Sequence, residues 1–228
     1  MVISEREARE NAREYALRQI KENVISLKLK PGSSVSENEL AKELGLSRTP
    51  VREALQELQK SNLIEVYPQR GSVIAHIDFD IVEEMVFFRK ILEKAVVEEL
   101  CDCITEENIF ELEKNIQLQE FYLNNKLPEK IIELDNQLHK AFFHMCNKDR
   151  IYNLMEGSQG HFDRIRTMSM YSVKDIKIVT DHKAIVNAIK TGDKELASEF
   201  IIKHLSRYKL DQREIMEKYP EYFSRSII

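Results

Sequence analysis

The sequence predicts a mainly α-helical protein with an N-terminal winged helix-turn-helix domain and a C-terminal all-α antiparallel helical bundle. Two short helical patterns followed by a hairpin pattern occupy residues 36–77, and helical periodicity dominates from residue 81 onward. The chain has only 6 Gly and 5 Pro among 228 residues, which suits long helices. We therefore expect a DNA-binding-type head over residues 1–78 and a helical body over residues 79–228.

The first two helices of the head are predicted from their end signals. Residues 4–29 have helical periodicity and are followed by a Pro-Gly pair. Ser36 and Glu39 have the spacing of a capping box, which predicts the start of a second helix. Gly45 is placed to end that helix in a left-handed conformation, so that the chain turns sharply there.

A third helix is predicted from Ser47 to about Lys60. Its apolar residues recur on one face and pack back on the second helix. Arg48 and Arg52, four residues apart, project from the first turns, which is where a helix-turn-helix presents side chains to base edges and phosphates.

The predicted wing follows as two β-rich runs, residues 63–67 and 72–75. The run of Pro, Gln, Arg and Gly between them is a hairpin signal with Arg70 at its tip. After the wing, residues 77–80 lack the composition of a flexible linker, so we expect a short connection to the body.

The string LKPGSSVSENELAKELGLSRTPVREALQELQKSNLIEVYPQRGSVI closely resembles the DNA-binding head of the GntR family of bacterial transcription regulators. The resemblance implies that Arg48, Thr49 and Arg52 contact the operator. It also implies that Gly71, beside Arg70, lets the wing tip approach the minor groove. Some members carry Arg where this chain has Asn38, so a contact from the second helix is not expected.

The net charge of −5 does not favour nucleic acid binding by itself. Residues 1–78 carry 12 Lys and Arg against 12 Asp and Glu, so the head is neutral. DNA binding is therefore predicted from the positions of the arginines, and we expect few phosphate contacts and a modest salt dependence.

The body is predicted to contain six helices. A long apolar stripe begins at Ile81, and Thr105 is placed to cap the next helix. Four further helices are expected over residues 128–146, 149–169, 174–190 and 193–218. Their short connections imply antiparallel neighbours and hence a bundle.

One aspartate and three histidines lie on stripes of otherwise apolar residues and are expected to point inward: Asp135, His139, His182 and His204. His182 lies ten residues before the turn at Gly192 and His204 twelve after it. At about 1.5 Å per residue, the two histidines reach nearly the same level on antiparallel helices. The four residues suit Zn²⁺, with Ni²⁺, Mn²⁺ or Fe²⁺ as alternatives. For any single histidine, a hydrogen-bonded core residue is the competing interpretation.

The strings ELDNQLHKAFF, DHKAIVNAIKTGD and IIKHL resemble the FadR-type (FCD) effector domain of the GntR family. Metal-binding members use the corresponding Asp and three His, which implies a divalent transition metal held by the four residues above. Leu138 stands where the family usually has Phe. The resemblance also implies that arginines bind a carboxylate effector beside the metal, and Arg89 and Arg164 are the expected residues.

The apolar runs, the N-terminus and the cysteines indicate the cellular compartment of the protein. No apolar run approaches the ~18 residues that a membrane span needs, and the charged N-terminus is unlike a signal peptide, so a cytoplasmic protein without membrane contact is expected. Cys101, Cys103 and Cys146 are odd in number and lack metal-ligand spacing, which favours reduced thiols.

The leading prediction is a homodimeric transcription regulator, a repressor by expectation, that binds a palindromic double-stranded operator and responds to a small organic acid. Two alternatives are a metal-dependent hydrolase that uses the Asp/His₃ site and a regulator for which the metal ion is itself the signal. No nucleophile motif or phosphate-binding loop supports an enzyme, and an enzyme leaves the winged helix unexplained.

Overall fold

The chain forms two compact units that do not follow a single cut in the sequence. The computed structural model describes residues 1–67, 71–172 and 177–224. Unit 1 consists of Met1–Val82, Ser158–Ile165 and the chain from Met216 onward, and unit 2 consists of Glu83–Gly157 and Arg166–Ile215. The predicted head and body boundary between residues 78 and 79 remains a prediction. Two later segments, residues 158–165 and the chain from residue 216 onward, belong to the same unit as the head, which the sequence did not predict.

Unit 1 contains the winged helix-turn-helix. Its elements up to residue 74 are α1 Ala12–Ile25, β1 Ser34–Val35, α2 Glu37–Leu44, α3 Arg48–Lys60, β2 Ile64–Tyr67 and β3 Gly71–Ile74. The three strands form an antiparallel sheet in the order β1-β3-β2. The short strand β1, which the sequence analysis missed, closes the free edge of β3. Buried aliphatic side chains of α1, α2 and α3 form the core beneath this sheet.

The helix ends of unit 1 correct two predictions. α1 begins at Ala12 because Asn11 caps it and Glu14 completes a capping box, so the predicted helix over residues 4–29 is too long. Ser36 does precede α2 but makes no side-chain capping bond, so the predicted Ser36–Glu39 box is absent. Gly45 ends α2 with φ 65°, the left-handed conformation that was predicted.

The remaining elements are helical. They are α4 Phe79–Cys103, α5 Glu106–Asn124, α6 Pro128–Met145, α7 Asp149–Ser158, α8 Gly160–Ser172, α9 Ile178–Lys190, α10 Lys194–Leu205, α11 Tyr208–Lys218 and the short 3₁₀ helix Pro220–Tyr222. Within unit 2, α5 packs against α6 and α9, and α9 packs against α10. The division between the units runs through α4, α8 and α11 and separates the last residue of α7 from the rest of that helix.

Two of the predicted body helices are each two helices in the structure. The helix expected over residues 149–169 breaks at Gln159, between Gly157 and Gly160, and the one expected over residues 193–218 breaks after Leu205. Thr105 accepts a hydrogen bond from the Asn108 amide at the start of α5, as predicted. The three cysteines are free thiols. Among the described residues, no helix is long and apolar enough to span a membrane.

Candidate DNA-binding surface and metal centre

The first turns of α3 present a polar, exposed surface. α3 buries Val51, Leu55 and Leu58 in the core of unit 1, which turns the opposite face outward. Arg48, Thr49 and Arg52 all lie on that exposed face. The Arg48 side chain is 68% exposed, and its guanidinium lies 3.4 Å from the Glu37 carboxylate of α2. An exposed pair of this kind is weak, so Arg48 can exchange Glu37 for a phosphate or a base at little cost.

The wing strands β2 and β3 are paired as far as Tyr67 and Gly71. Gly71 is exposed and has φ 80°, a left-handed conformation that is strained for residues with a β-carbon. Arg70, the predicted contact at the tip, lies outside the described residues.

Four side chains of unit 2 converge in its core. Asp135 and His139 of α6, His182 of α9 and His204 of α10 each offer one ligand atom, and these atoms all lie within 4.8 Å of one another. Asp135 Oδ1 lies 3.1 Å from His182 Nε2, 3.8 Å from His139 Nε2 and 3.9 Å from His204 Nε2. The four residues expected from the sequence to point inward are therefore brought together by the fold.

The separations match those of ligands around one ion. Two donor atoms that bind a metal at ~2.1 Å lie between ~2.9 Å and ~4.2 Å apart in common geometries. Asp135 Oδ1 and His182 Nε2 have no hydrogen-bond partner among the described residues although both are fully buried. Buried polar atoms without a partner are costly, and a cation between them satisfies both. The residues present therefore fit a divalent metal.

A chain of hydrogen bonds fixes which nitrogen of His182 carries the proton. The Leu134 carbonyl can only accept, and it accepts from Asn115 Nδ2 at 3.1 Å. Asn115 Oδ1 then accepts from Gln119 Nε2 at 2.7 Å, and Gln119 Oε1 accepts from His182 Nδ1 at 2.7 Å. His182 Nε2 is consequently left with its lone pair, and this lone pair is what a metal requires.

His139 is oriented in the same way by a carboxylate. Its Nδ1 contacts Glu93 Oε2 at short range, and Glu93 Oε1 accepts from Arg89 Nε at 2.5 Å. Burial alone would raise the pKa of Glu93, but the Arg89 guanidinium and the hydrogen bonds from Arg89 and His139 outweigh it and hold the pKa at about 2. Glu93 is therefore ionised and accepts a hydrogen bond from His139 Nδ1, which leaves His139 Nε2 facing the cluster.

His204 completes the set with a looser partner. Its Nδ1 lies 3.7 Å from Asp181 Oδ2, beyond hydrogen-bonding distance, and Asp181 is itself paired with Arg207. Burial lowers the pKa of His204 to about 3 and also lowers the pKa of His182. Both imidazoles are thus neutral at pH 7, the state in which histidine binds metals.

Arg166 of α8 holds the remaining oxygen of Asp135. Its Nη2 contacts Asp135 Oδ2, and its Nη1 donates to Asn136 Oδ1 at 2.9 Å. Burial would raise the pKa of Asp135, but Arg166 and the neighbouring histidines keep it well below its usual range. Glu93, Gln119 and Arg166 were not predicted from the sequence as partners of the cluster. The i, i+4 pair of Arg89 and Glu93 on an apolar stripe was a usable signal for the first.

The two predicted effector arginines differ in position. Arg89 belongs to unit 2 and contacts Glu93, the partner of His139. Arg164 belongs to unit 1, where it is fully buried and donates to the Ala75 carbonyl at 2.6 Å. Their role as effector ligands remains a prediction.

A three-stranded wing beside a helix-turn-helix with exposed arginines defines the class of winged helix-turn-helix DNA-binding proteins. Residues 13–74 match the family model described as bacterial regulatory proteins, gntR family, and residues 84–207 match the FCD domain. The chain belongs to the GntR family and carries an FCD domain. It is a DNA-binding transcriptional regulator.

Relatives and solved structures agree with this assignment. The chain is 27% identical to the HTH-type transcriptional repressor RspR of Escherichia coli, over 90% of each chain. It is 24% identical to the gluconate operon transcriptional repressor of Bacillus licheniformis, over 78% of this chain and 75% of that protein. The structure of E. coli McbR/YncC has the same fold, with a TM-score of 0.74 and 21% identity over 92% of this chain and 99% of that one. These relatives are regulators and not enzymes.

Proposed function

We propose that this regulator binds a palindromic operator as a homodimer, acts as a repressor in the cytoplasm, and changes its operator affinity when a small carboxylate binds at a metal held by unit 2. The observation that supports the metal most strongly is the convergence of three imidazole nitrogens and one carboxylate oxygen in a buried cluster.

Operator contacts are assigned to the exposed end of α3 and to the wing. Arg48 and Arg52 are suited to bidentate contacts with guanine or with phosphate, and Thr49 lies between them. At the wing, Gly71 and its neighbour Arg70 are the proposed contacts. One winged helix reads only a short half-site, so we infer a two-fold symmetric operator for a two-fold symmetric dimer.

An apolar stripe on α4 supports the dimer. Phe87 and Ile91, one turn apart, are 67% and 53% exposed, and the adjacent Phe88 is 41% exposed. Three large apolar side chains together in water form an unfavourable patch that a second copy of the chain would cover. Phe87→Asp should therefore give a monomer in light scattering at micromolar concentration. A dimer that persists in this variant places the interface elsewhere.

Asp135, His139, His182 and His204 would hold the metal, with Zn²⁺ as the first choice and Ni²⁺, Mn²⁺ or Fe²⁺ as alternatives. A bound divalent ion would supply Lewis acidity and open positions for a carboxylate. The pairs of Arg89 with Glu93 and of Gln119 with His182 keep the imidazoles in the metal-binding tautomer.

The organic-acid effector is the finer part of the proposal. We assign its carboxylate to the open coordination positions of the metal. Of the two predicted arginines, we choose Arg89 because it belongs to the same unit as the four clustered residues. An effector changes operator affinity only through a difference in its affinity for two states of the protein, commonly about 1–3 kcal/mol. By reciprocity, operator DNA must change effector affinity by the same factor.

Metal analysis combined with operator titration tests this function. Purified protein should contain one transition metal per chain, and His204→Ala should lose it while still binding an operator obtained by in vitro selection. A panel of small carboxylates should change operator affinity only in the metal-loaded protein. If metal alone produces the full change, the protein is a metal sensor. If no metal is found and metal-free protein responds fully, the cluster is structural and the proposal fails.

A further inference from the structure

The base of the wing is held by a side chain that lies about a hundred residues later in the sequence. His161, in the first turn of α8, donates from Nε2 to the Asn62 carbonyl at 2.8 Å. Its Nδ1 accepts from the Asp78 amide at 3.1 Å. Asn62 lies just before β2 and Asp78 just after β3, so one imidazole joins the chain that enters the wing to the chain that leaves it. All three residues belong to unit 1.

One turn further along α8, Arg164 makes a second connection to the same place. Its Nη1 donates to the carbonyl of Ala75, the residue that follows β3. Arg164 is fully buried, and its Nε and Nη2 have no hydrogen-bond partner among the described residues. A buried guanidinium for which the described part of the chain offers no paired carboxylate is an expensive way to satisfy one carbonyl, and a role in stability alone does not account for it.

The start of α8 also fits the wing sterically. A β-carbon at Gly160 would lie 2.8 Å from the Leu63 side chain, which immediately precedes β2. A residue larger than Gly at position 160 would therefore displace either α8 or Leu63. On the other side, the Ile77 amide donates to the Tyr222 carbonyl at 2.8 Å, and Phe79 stacks on Phe223 with ring centroids 5.1 Å apart. The wing base is thus fixed on two sides.

Small movements at this base become large at the wing tip. Each wing strand contains four residues, so the hairpin extends ~13 Å at ~3.3 Å per residue. A rotation of ~10° at the base displaces the far end by ~2 Å, which is enough to break a hydrogen bond to DNA.

We propose that His161 and Arg164 are positioning residues for operator binding, which hold the base of the wing so that its tip meets the DNA backbone. They act through the wing and do not touch DNA. The proposal rests on the DNA-binding function of the head, and it requires neither the metal nor the effector.

Arg164→Met tests the proposal because it removes the donor to Ala75 and keeps an unbranched side chain of similar length. Arg150→Met is the matched control, since Arg150 is an exposed arginine of α7. We expect Arg164→Met to weaken operator binding about tenfold, which corresponds to the loss of one or two contacts with the DNA backbone. The control should bind as wild type does. Thermal unfolding should not shift downward.

Footprinting identifies which contacts are lost. Hydroxyl radicals report contacts to the DNA backbone, and methylation of guanine N7 reports the major groove. In Arg164→Met the backbone protection assigned to the wing should disappear while the guanine protection by α3 remains. Unchanged affinity, or equal loss of both protections, would overturn the proposal.

A second pair of variants covers the case in which Arg164→Met does not fold. His161→Phe removes both hydrogen bonds of the imidazole, whereas His161→Gln retains a donor near the Nε2 position. The Phe variant should lose the same wing protection as Arg164→Met, and the Gln variant should recover part of it. If the Phe variant folds and keeps full wing protection, His161 does not position the wing.

Discussion

Two arginines only two residues apart on α8 contact different kinds of group. One contacts a carboxylate of unit 2 and the other a backbone carbonyl of unit 1. Arg166 groups with unit 2 and contacts the buried carboxylate of Asp135. Arg164 groups with unit 1, is buried more completely, and makes its one described hydrogen bond to a backbone carbonyl. Unit 2 therefore pairs its buried charges with one another, whereas unit 1 uses a buried charge to hold main chain.

The same contrast extends to the functional side chains. In unit 1 the arginines that we propose to contact DNA are exposed, as contacts with phosphates and bases outside the protein require. In unit 2 the four clustered side chains of the proposed metal site are buried, and a cluster that excludes water suits an ion held in a fixed geometry. Each substitution below tests the surroundings of one side chain in one of the two units.

The largest expected effect is on the stability of the metal-free protein. Arg166→Met leaves the Asp135 carboxylate buried without its cation, so the free energy of unfolding should fall by about 3–5 kcal/mol. Arg164→Met removes a buried charge for which the described residues supply no paired carboxylate, and relief of its desolvation should offset the loss of the donor to Ala75, so stability should change little. Urea unfolding of the two variants measures both changes. Equal destabilisation by the two variants would contradict the comparison.

The second effect is a pH dependence that originates in unit 1. Burial and, secondarily, the nearby Arg164 charge lower the pKa of His161 from 6.5 to about 4. The folded state thus binds the proton more weakly than the unfolded state. The stabilising contribution is complete above pH 6.5 and is lost as the pH falls toward 4, by about 3 kcal/mol in total.

His161→Gln provides the matched reference for this titration because Gln does not ionise. The difference in unfolding free energy between wild type and the variant should shrink as the pH falls from 6.5 to 4. A difference that stays constant over this range would show that protonation of His161 is not coupled to folding.

The third effect concerns binding alone. Arg48→Ala and Arg52→Ala should each weaken operator binding by about 1–3 kcal/mol if the side chain makes a bidentate base contact. Stability should not change, because both side chains are exposed. Arg9→Ala, at another exposed position of unit 1, is the control for loss of charge. Wild-type affinity in both α3 variants would assign recognition to another surface.

The sequence predicted the fold class and the proximity of Asp135, His139, His182 and His204 because both depend on spacing within single elements. Asp135 and His139 lie four apart on one helix, and the turn at Gly192 aligns His182 with His204. What the sequence could not predict were contacts across long separations, such as His161 with Asn62 or Gln119 with His182. No local pattern encodes which backbone carbonyl or amide a distant side chain will meet.

Helix ends were predicted unevenly for a related reason. The end of α2 at Gly45 was predicted correctly because glycine in the left-handed conformation commonly ends helices. The start of α1 was missed although Asn11 and Glu14 have capping-box spacing, since the residues before them also have helical periodicity. Hydrophobic periodicity identifies an amphipathic segment, but the hydrogen bonds of the helix cap determine the residue at which the helix begins.

The smallest expected effect tests the hydrogen-bond chain that fixes the proton on His182. Gln119→Met keeps the length of the side chain but removes the oxygen that accepts from His182 Nδ1. The imidazole can then place its proton on Nε2, so metal binding must first move that proton, and affinity should fall about tenfold or roughly 1.4 kcal/mol. Gln117→Met, on the exposed side of the same helix, should bind metal as wild type does. Competition with a chromogenic zinc chelator measures both affinities. Equal affinity in the two variants would mean that the chain from Leu134 does not select the tautomer, and that unit 2 holds its ligands by packing alone.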